Sequence, residues 1–392
     1  MKVLFLTNEY PPHIYGGAGV HANYLSRELA KTMEIEVRCF GDQNYHSGNL
    51  KVTGFGLDAS EFTCPQPLQS VFGAVRRCID FNTTNIDADL VHCHTWYTHF
   101  GGILAKLNYG IPLVITVHSL EPMRPWKREQ LAGGYDFTVW LEKTALEMAD
   151  AVIAVSRETK ADIDRLFSVT PERLHIIHNG IDLEEYRKVE STDALRHYGI
   201  DPAKPYLLFV GRITRQKGIV HLVRAIQYMD RGFQIVLCAG APDTPAIADE
   251  MKRAVEEARA KRRDIIWIDQ MINKSAIREL YSHAAVFCCP SIYEPFGIIN
   301  LEAMACEAAV VASAVGGIKE VVVDGETGFL VPHGDVVAMA AAIDRLAGSR
   351  ALVEQLGQNA RRFAESFTWE RAADETERHL TQVIEQGGGG RA

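Results

Sequence analysis

The sequence predicts an α/β protein built from two doubly wound domains, and three observations carry that prediction. Short β-branched apolar runs alternate with helix-period segments along the chain, the pattern of parallel sheets with helices on both faces. Runs such as Leu207-Leu-Phe-Val210 are apolar at every position, as strands covered on both faces are. A polar, proline-containing break, from Glu184-Glu-Tyr-Arg-Lys-Val-Glu-Ser-Thr-Asp193 to Asp201-Pro-Ala-Lys-Pro205, separates two such series.

The first series predicts strands at 3–7, 36–40, 90–92, 113–117, 151–156 and 174–178. The second predicts them at 206–210, 234–239, 265–268, 285–289, 309–312 and 328–331. Helical periodicity falls between them, as at 21–31, 139–148, 219–229, 245–261, 274–284 and 337–346. The expected organisation is a first domain over 1–183, a linker over 184–205, a second domain over 206–365, a helix over 366–386 and a flexible glycine tail over 387–392. That helix could pack on the second domain or cross back to the first. Open α/β sheets bind ligands at the carboxyl ends of their strands. Two such domains, facing each other, would enclose a cleft.

Bulk properties narrow the function. The 392 residues suffice for two or three domains of about 150 each. A net charge of −9 argues against general nucleic-acid binding. No apolar run reaches the ~18 residues of a membrane span, and Met1-Lys-Val-Leu-Phe-Leu-Thr7 reads as a buried strand rather than a secretory leader. The eight cysteines form no C-x-x-C pair. Reduced thiols, and hence a cytoplasmic setting, are expected.

The chemistry-bearing residues cluster at predicted strand ends. Val210-Gly-Arg-Ile-Thr-Arg-Gln-Lys-Gly218 follows a strand and precedes a helix. Arg212 and Lys217 there could converge on an anion at the helix start, where a diphosphate would be held and stabilised as it departs. The alternative is a solvated basic turn. Tyr15-Gly-Gly-Ala-Gly19 offers backbone N–H groups to a phosphate or sugar, although it is neither a dinucleotide fingerprint nor a P-loop. His94 and Trp96, in His92-Cys-His-Thr-Trp-Tyr97, and His118 also follow strands. Trp96 suits stacking on a sugar, with core packing as its competing use. No metal is expected, because His92-Cys93-His94 has no partner pair at ligand spacing and Asp87-Ala-Asp89 precedes its strand. Glu294 and Glu302 stand eight positions apart in Ser291-Ile-Tyr-Glu-Pro-Phe-Gly-Ile-Ile-Asn-Leu-Glu302. One falls on the loop leaving a strand and the other one to two turns into the next helix, a spacing able to hold two parts of one polyhydroxylated ligand. Backbone amides of Phe296 and Gly297 point the same way.

These motifs resemble the family 4 retaining glycosyltransferases of the GT-B fold, whose hallmarks are the E-x7-E pair, here Glu294 and Glu302, and a Gly-Arg…Lys-Gly segment, here Gly211, Arg212, Lys217 and Gly218. Within that family the likeness is greatest to bacterial and archaeal glycogen synthases, in the actinobacterial-type branch that includes enzymes making maltose 1-phosphate. The supporting stretches, from Asn8-Glu-Tyr-Pro-Pro12 to Gly316-Gly-Ile-Lys-Glu320, span nearly the whole chain. The resemblance implies an ADP-glucose or UDP-glucose donor, retention at the anomeric carbon and no metal or other cofactor. It further implies that Arg212 and Lys217 hold the diphosphate, Glu294 the donor sugar and Glu302 the ribose. His118 would lie beside the reacting face. Gly16, Gly17, Gly211, Phe296 and Gly297 would line the donor, and His94 and Trp96 the acceptor. Many bacterial glycogen synthases carry a Lys two places before the paired glycines, where this chain has Ile14.

The first expectation is elongation of an α-1,4-glucan, as in a glycogen synthase. The alternative is a maltose-1-phosphate synthase, with glucose 1-phosphate as acceptor and Arg124, Lys127 and Arg128 as candidate phosphate partners, unless they form a solvated charge run. A sugar-nucleotide epimerase fits less well, since it needs no acceptor surface and the E-x7-E spacing argues against it, and the complete set of charged residues argues against a sugar-nucleotide sensor. Neither nucleic acid nor membrane is an expected partner. Donor and acceptor groups fall in different halves, so closure on substrate is expected.

Overall fold

The computed structural model describes residues 1–58, 60, 62–270 and 272–387. It divides into two compact units, Met1–Gly180 together with the segment from Trp369 onward, and Ile181–Thr368.

The first unit holds β1 Lys2–Thr7, β2 Glu34–Phe40, β3 Asn44–Ser47, β4 Leu50–Phe55, β5 Leu90–His94, β6 Leu113–Val117, β7 Ala151–Ala154 and β8 Leu174–Ile176. They form one sheet in the order β3-β4-β2-β1-β5-β6-β7-β8. Every pair is parallel except β3 with β4. β5 and β6 are buried at every position; β6 accordingly reads as a near-continuous apolar run, while β5 carries His92 and His94 into the interior. Their side chains pack with those of helices Gln66–Thr83, Trp96–Tyr109 and Gly134–Met148 into one core.

The second unit holds β9 Tyr206–Arg212, β10 Gln234–Gly240, β11 Ile265–Ile268, β12 Val286–Cys289, β13 Val310–Ser313 and β14 Gly328–Val331. The order β11-β10-β9-β12-β13-β14 is parallel throughout, the doubly wound arrangement in which strand order reverses beside the first strand. The reversal falls between β9 and β12 here and between β1 and β5 in the first unit, so each sheet has its ligand-binding crevice at those strand ends. Helix starts are fixed by local chemistry: the side chain of Asn273 accepts from Ala276 N at 2.8 Å, and Thr244 caps a helix whose first residue is Pro245.

Two expectations change, and one that left two placements open is decided. β3 and β4 were not expected; β3 is an exposed polar edge strand that carries no hydrophobic period. The stretch 184–205 does not behave as a linker but folds into the second unit. Its polar groups find partners there: Ser191 Oγ donates to Glu279 Oε2 at 2.8 Å and Val189 N to Ser282 Oγ at 3.1 Å. The terminal helix, Trp369–Gly387, belongs to the first unit, where Trp369 stacks on Tyr24 with ring centroids 5.3 Å apart. Gly387 ends that helix, and positions 388–392 of the expected tail lie outside the described residues. Among the described residues no helix is long and apolar enough to cross a membrane, and the eight cysteines are unpaired.

Candidate functional site

In the second unit, β9 ends at Arg212 and the loop beyond it runs to Gly218, which caps helix Ile219–Ala225 at φ +63°. A Cβ on Gly218 would lie 2.0 Å from the Pro290 carbonyl oxygen. Only glycine lets this loop lie so close to the end of β12. Ile292 N then donates to Gln216 O at 2.9 Å, and Lys217 Nζ comes within 2.6 Å of Glu294 Oε2. Ser291 Oγ donates to the same oxygen at 3.1 Å. Gly316 grips the far side of the loop: it lies at φ +51° with the Glu294 carbonyl where its Cβ would be.

Glu294 is buried, which demands a partner for its charge. Burial also works against the Lys217 ammonium. The Glu294 carboxylate overcomes that, and the net shift of the Lys217 pKa is upward, so its charge is secure at neutral pH. Arg212 is not in this pair. Its guanidinium binds Asp243, yet it lies near enough that its charge opposes that of Lys217. Glu302 sits apart on helix Ile298–Ala305, where Tyr281 OH donates to its Oε2 at 3.2 Å and Tyr186 is a second hydrogen-bonding phenol. Burial first raises its carboxyl pKa, against the pull of those two bonds. Gly297 caps this helix at φ +91°. The Phe296 side chain is buried against Phe367.

In the first unit, three imidazoles from three elements meet. His94 ends β5, His118 follows β6, and His21 lies on helix Gly17–Leu29. His94 Nδ1 and His118 Nε2 are 3.1 Å apart, His21 Nδ1 is 2.7 Å from Asn179 Oδ1, and a donor nitrogen from each of the three lies within 4.8 Å of the others. Burial is the first cause that lowers all three pKa values, that of His21 to about 4. The cluster is therefore uncharged at neutral pH; His94 Nδ1, His118 Nε2 and His21 Nδ1 are engaged, while the buried Nε2 atoms of His21 and His94 have no hydrogen-bond partner among the described residues. Beside it, Thr95 holds φ +67°, a strained position for a β-branched residue, and its Oγ1 donates to Asn8 Oδ1 at 2.8 Å. That bond ties the ends of β1 and β5 together.

Comparison with known proteins decides the family. Residues 15–185 match the profile Glycosyltransferase Family 4 and residues 191–363 match Glycosyl transferases group 1. The chain is 44% identical to the alpha-maltose-1-phosphate synthase of Mycolicibacterium smegmatis, over 96% of this chain and 98% of that one. It is 43% identical to the enzyme of the same name from Mycobacterium tuberculosis, over the same shares. The chain belongs to the family 4 glycosyltransferases. It is a hexosyltransferase with the GT-B fold. Its structure is similar to that of sucrose-phosphate synthase from Thermosynechococcus elongatus, at TM-score 0.83 and 26% identity over 98% of this chain and 100% of that one. The relatives carry the name of the alternative product, maltose 1-phosphate, and not of glycogen synthase, so the order of the two acceptor expectations is reversed.

Three site expectations for this glycosyltransferase are corrected in the first unit. The Gly16 N–H, assigned to the donor, is already taken: Glu9 Oε2 accepts from Tyr15 N and Gly16 N, both at 2.8 Å. With Ile14 in place of a lysine, this loop carries its own anion; Gly17 opens the helix behind it. Trp96 is 1% exposed within the core, so its face is not offered to an acceptor. His94 is fully buried, and its Nδ1 faces His118 Nε2 rather than an open surface. The sequence reading missed Asp243, Ser291, Tyr281 and Tyr186 as partners of the charged residues, and His21 and Glu9 in the first unit. His21 had one signal: it lies one turn after Gly17 on a helix whose other inward positions are apolar or small.

Proposed function

We infer that this glycosyltransferase moves glucose from ADP-glucose to glucose 1-phosphate, with retention, releasing ADP and maltose 1-phosphate. The observation that carries the inference is the identity of 44% to a maltose-1-phosphate synthase over nearly the full length of both chains. UDP-glucose is the second donor to test.

The residues supply a mechanism. Lys217 has three N–H donors and spends one on Glu294; the others would face the diphosphate, with Arg212 after exchange from Asp243. As the bond from the anomeric carbon to diphosphate oxygen loosens, negative charge builds on the leaving group. Fixed cations there lower the barrier by about 3 kcal/mol per well-aimed donor. The acceptor 4-hydroxyl attacks from the same face, and its proton passes to a diphosphate oxygen. Glu294 would accept hydroxyls of the transferred glucose, Glu302 those of the ribose, with Gly211, Phe296 and Gly297 offering backbone along the donor. His118, held neutral first by burial, would donate or accept a hydrogen bond at the sugar without competing for charge. This scheme assigns no step to a metal, since Arg212 and Lys217 meet the diphosphate charge. Unpaired cysteines, seven of them buried, fit a reducing, cytoplasmic setting.

The test gives the purified protein ADP-glucose or UDP-glucose with either glycogen or glucose 1-phosphate and separates the products by size and charge. A disaccharide phosphate formed one-for-one with ADP is expected. Elongated glycogen with no disaccharide phosphate would reverse the acceptor assignment.

A further inference from the structure

The run Met123-Arg-Pro-Trp-Lys-Arg128 carries three cations in six positions, and the fold treats them in two different ways. Arg128 is half exposed and pairs with Asp136, itself more exposed, as a solvated surface pair does. Arg124 and Lys127 keep only 14% and 13% of their side-chain surface exposed, and both face Glu121, which is fully buried.

Glu121 is a fixed anchor. Thr138 Oγ1 donates to its Oε2 at 3.1 Å, Tyr135 OH to its carbonyl at 2.8 Å, and its own N–H donates to Glu142 Oε2 at 2.7 Å. Burial first, and the Glu121 charge second, push the Glu142 carboxyl well above the usual carboxylate range. Glu142 therefore adds little negative charge. Two cations then face one carboxylate in a place largely closed to solvent. Arg124 takes the ion pair with Glu121. Lys127 Nζ stops 3.9 Å from Glu121 Oε1, beyond hydrogen-bond reach, and lies 5.5 Å from the centre of the Tyr97 ring. Among the described residues it makes no hydrogen bond. A shielded ammonium that only shares, at this distance, a carboxylate already paired with Arg124 is incompletely neutralised and can take a second anion.

Its position names the anion. Tyr97 is the second residue of helix Trp96–Tyr109, which begins just after β5, and Glu121 is three residues beyond His118. His94 and His118, at the ends of β5 and β6, are hydrogen-bonded. The cations therefore stand on the same carboxyl rim of the sheet as His118, a few residues away along the chain. We propose that Lys127, with Arg124 anchored on Glu121, binds the phosphate of a phosphorylated acceptor hexose and so selects it over a neutral glucan end. The proposal rests on the inferred transfer to glucose 1-phosphate and adds the residues that would enforce it. A neutral acceptor would leave the Lys127 charge shielded and incompletely neutralised, which is how a site rejects a substrate that lacks its ionic group.

The test separates binding from turnover. Calorimetry would measure glucose 1-phosphate binding to the whole protein and to Lys127→Met, Lys127→Arg and Arg128→Gln, each checked for an unchanged melting temperature. Losing a charge-assisted contact should weaken binding on the order of tenfold or more in Lys127→Met, with partial recovery in Lys127→Arg and no change in Arg128→Gln. In the assay, KM for glucose 1-phosphate should rise in parallel while KM for ADP-glucose holds. Equal binding by the protein and Lys127→Met, or no binding by the unmodified protein, would overturn the site. Binding that depends on Lys127 without any transfer to glucose 1-phosphate would sink the functional inference and leave the site standing.

Discussion

The two units build their strand-end crevices from opposite electrostatics. In the second unit the crevice is ionic: Lys217 against Glu294 at 2.6 Å, Arg212 against Asp243, Glu302 under two phenols. In the first unit the crevice beside β5 and β6 is made of neutral rings, with His21, His94 and His118 all kept uncharged by burial. One sheet topology therefore supports two kinds of site. A leaving diphosphate needs standing charge, whereas an attacking hydroxyl is better served by groups that hydrogen-bond without attracting its proton strongly.

The sharpest way to break this contrast is to remove charge on the ionic side. Lys217→Ala should lower kcat by about 10²–10³-fold, the loss typical of removing one aimed donor. Turnover near that of the unmodified protein would end the assignment of leaving-group charge to Lys217. The melting temperature should fall as well, because Glu294 would be left buried without its partner. Lys217→Ala with Glu294→Gln should regain melting temperature and not turnover, which separates the two roles.

Acid should act on the other unit. His21 titrates at about 4 in the folded chain, His92 and His99 at about 3, against about 6.5 when unfolded. Between those values the unfolded chain binds more protons, so stability present above about 6.5 is lost as pH falls. Each fully buried ring contributes up to about 1.4 kcal/mol per pH unit in that window. Glu142, raised by burial, opposes this, one carboxyl against seven lowered histidines, of which His175 and His379 are only half-buried. In the second unit Glu302 is also raised, so acid relieves it. Amide exchange, corrected for intrinsic rate, should therefore show β1, β5 and β6 losing protection between pH 7 and 5 while β9 and β12 hold. Equal loss in both sets would contradict the contrast.

What could be read from the sequence follows the same division between local and distant causes. The strands at 113–117, 265–268 and 328–331 and the helix at 245–261 match β6, β11, β14 and Pro245–Lys261 residue for residue, because a strand covered on both faces or a capped helix declares itself locally. The loop positions of Lys217 and Glu294 were legible for that reason, since each follows a buried strand. Their pairing with each other was not, and neither was the capture of Arg212 by Asp243, 31 residues away, or of His21 by Asn179, 158 away. Nothing near a residue encodes which distant polar group the topology will bring to it. Trp96 shows the same limit from the other side. Its place after a strand was read correctly, but whether its ring turns outward or into the core depends on Val91, Leu113 and the other side chains gathered around it.

The smallest effect probes how ready the ionic crevice is before donor arrives. Arg212 keeps two-fifths of its side chain exposed while it binds Asp243, so diphosphate must compete with that carboxylate. Asp243→Asn removes the competitor's charge and keeps its shape. ADP should then bind a few-fold more tightly, the scale of one partly exposed ion pair, and the gain should shrink at high salt. The same change made where Lys217 meets Glu294 should not behave this way, because that pair is the more shielded of the two. Calorimetric titration of ADP at low and high salt checks it: weaker binding by Asp243→Asn would mean that Asp243 orients Arg212 toward the diphosphate rather than withholding it.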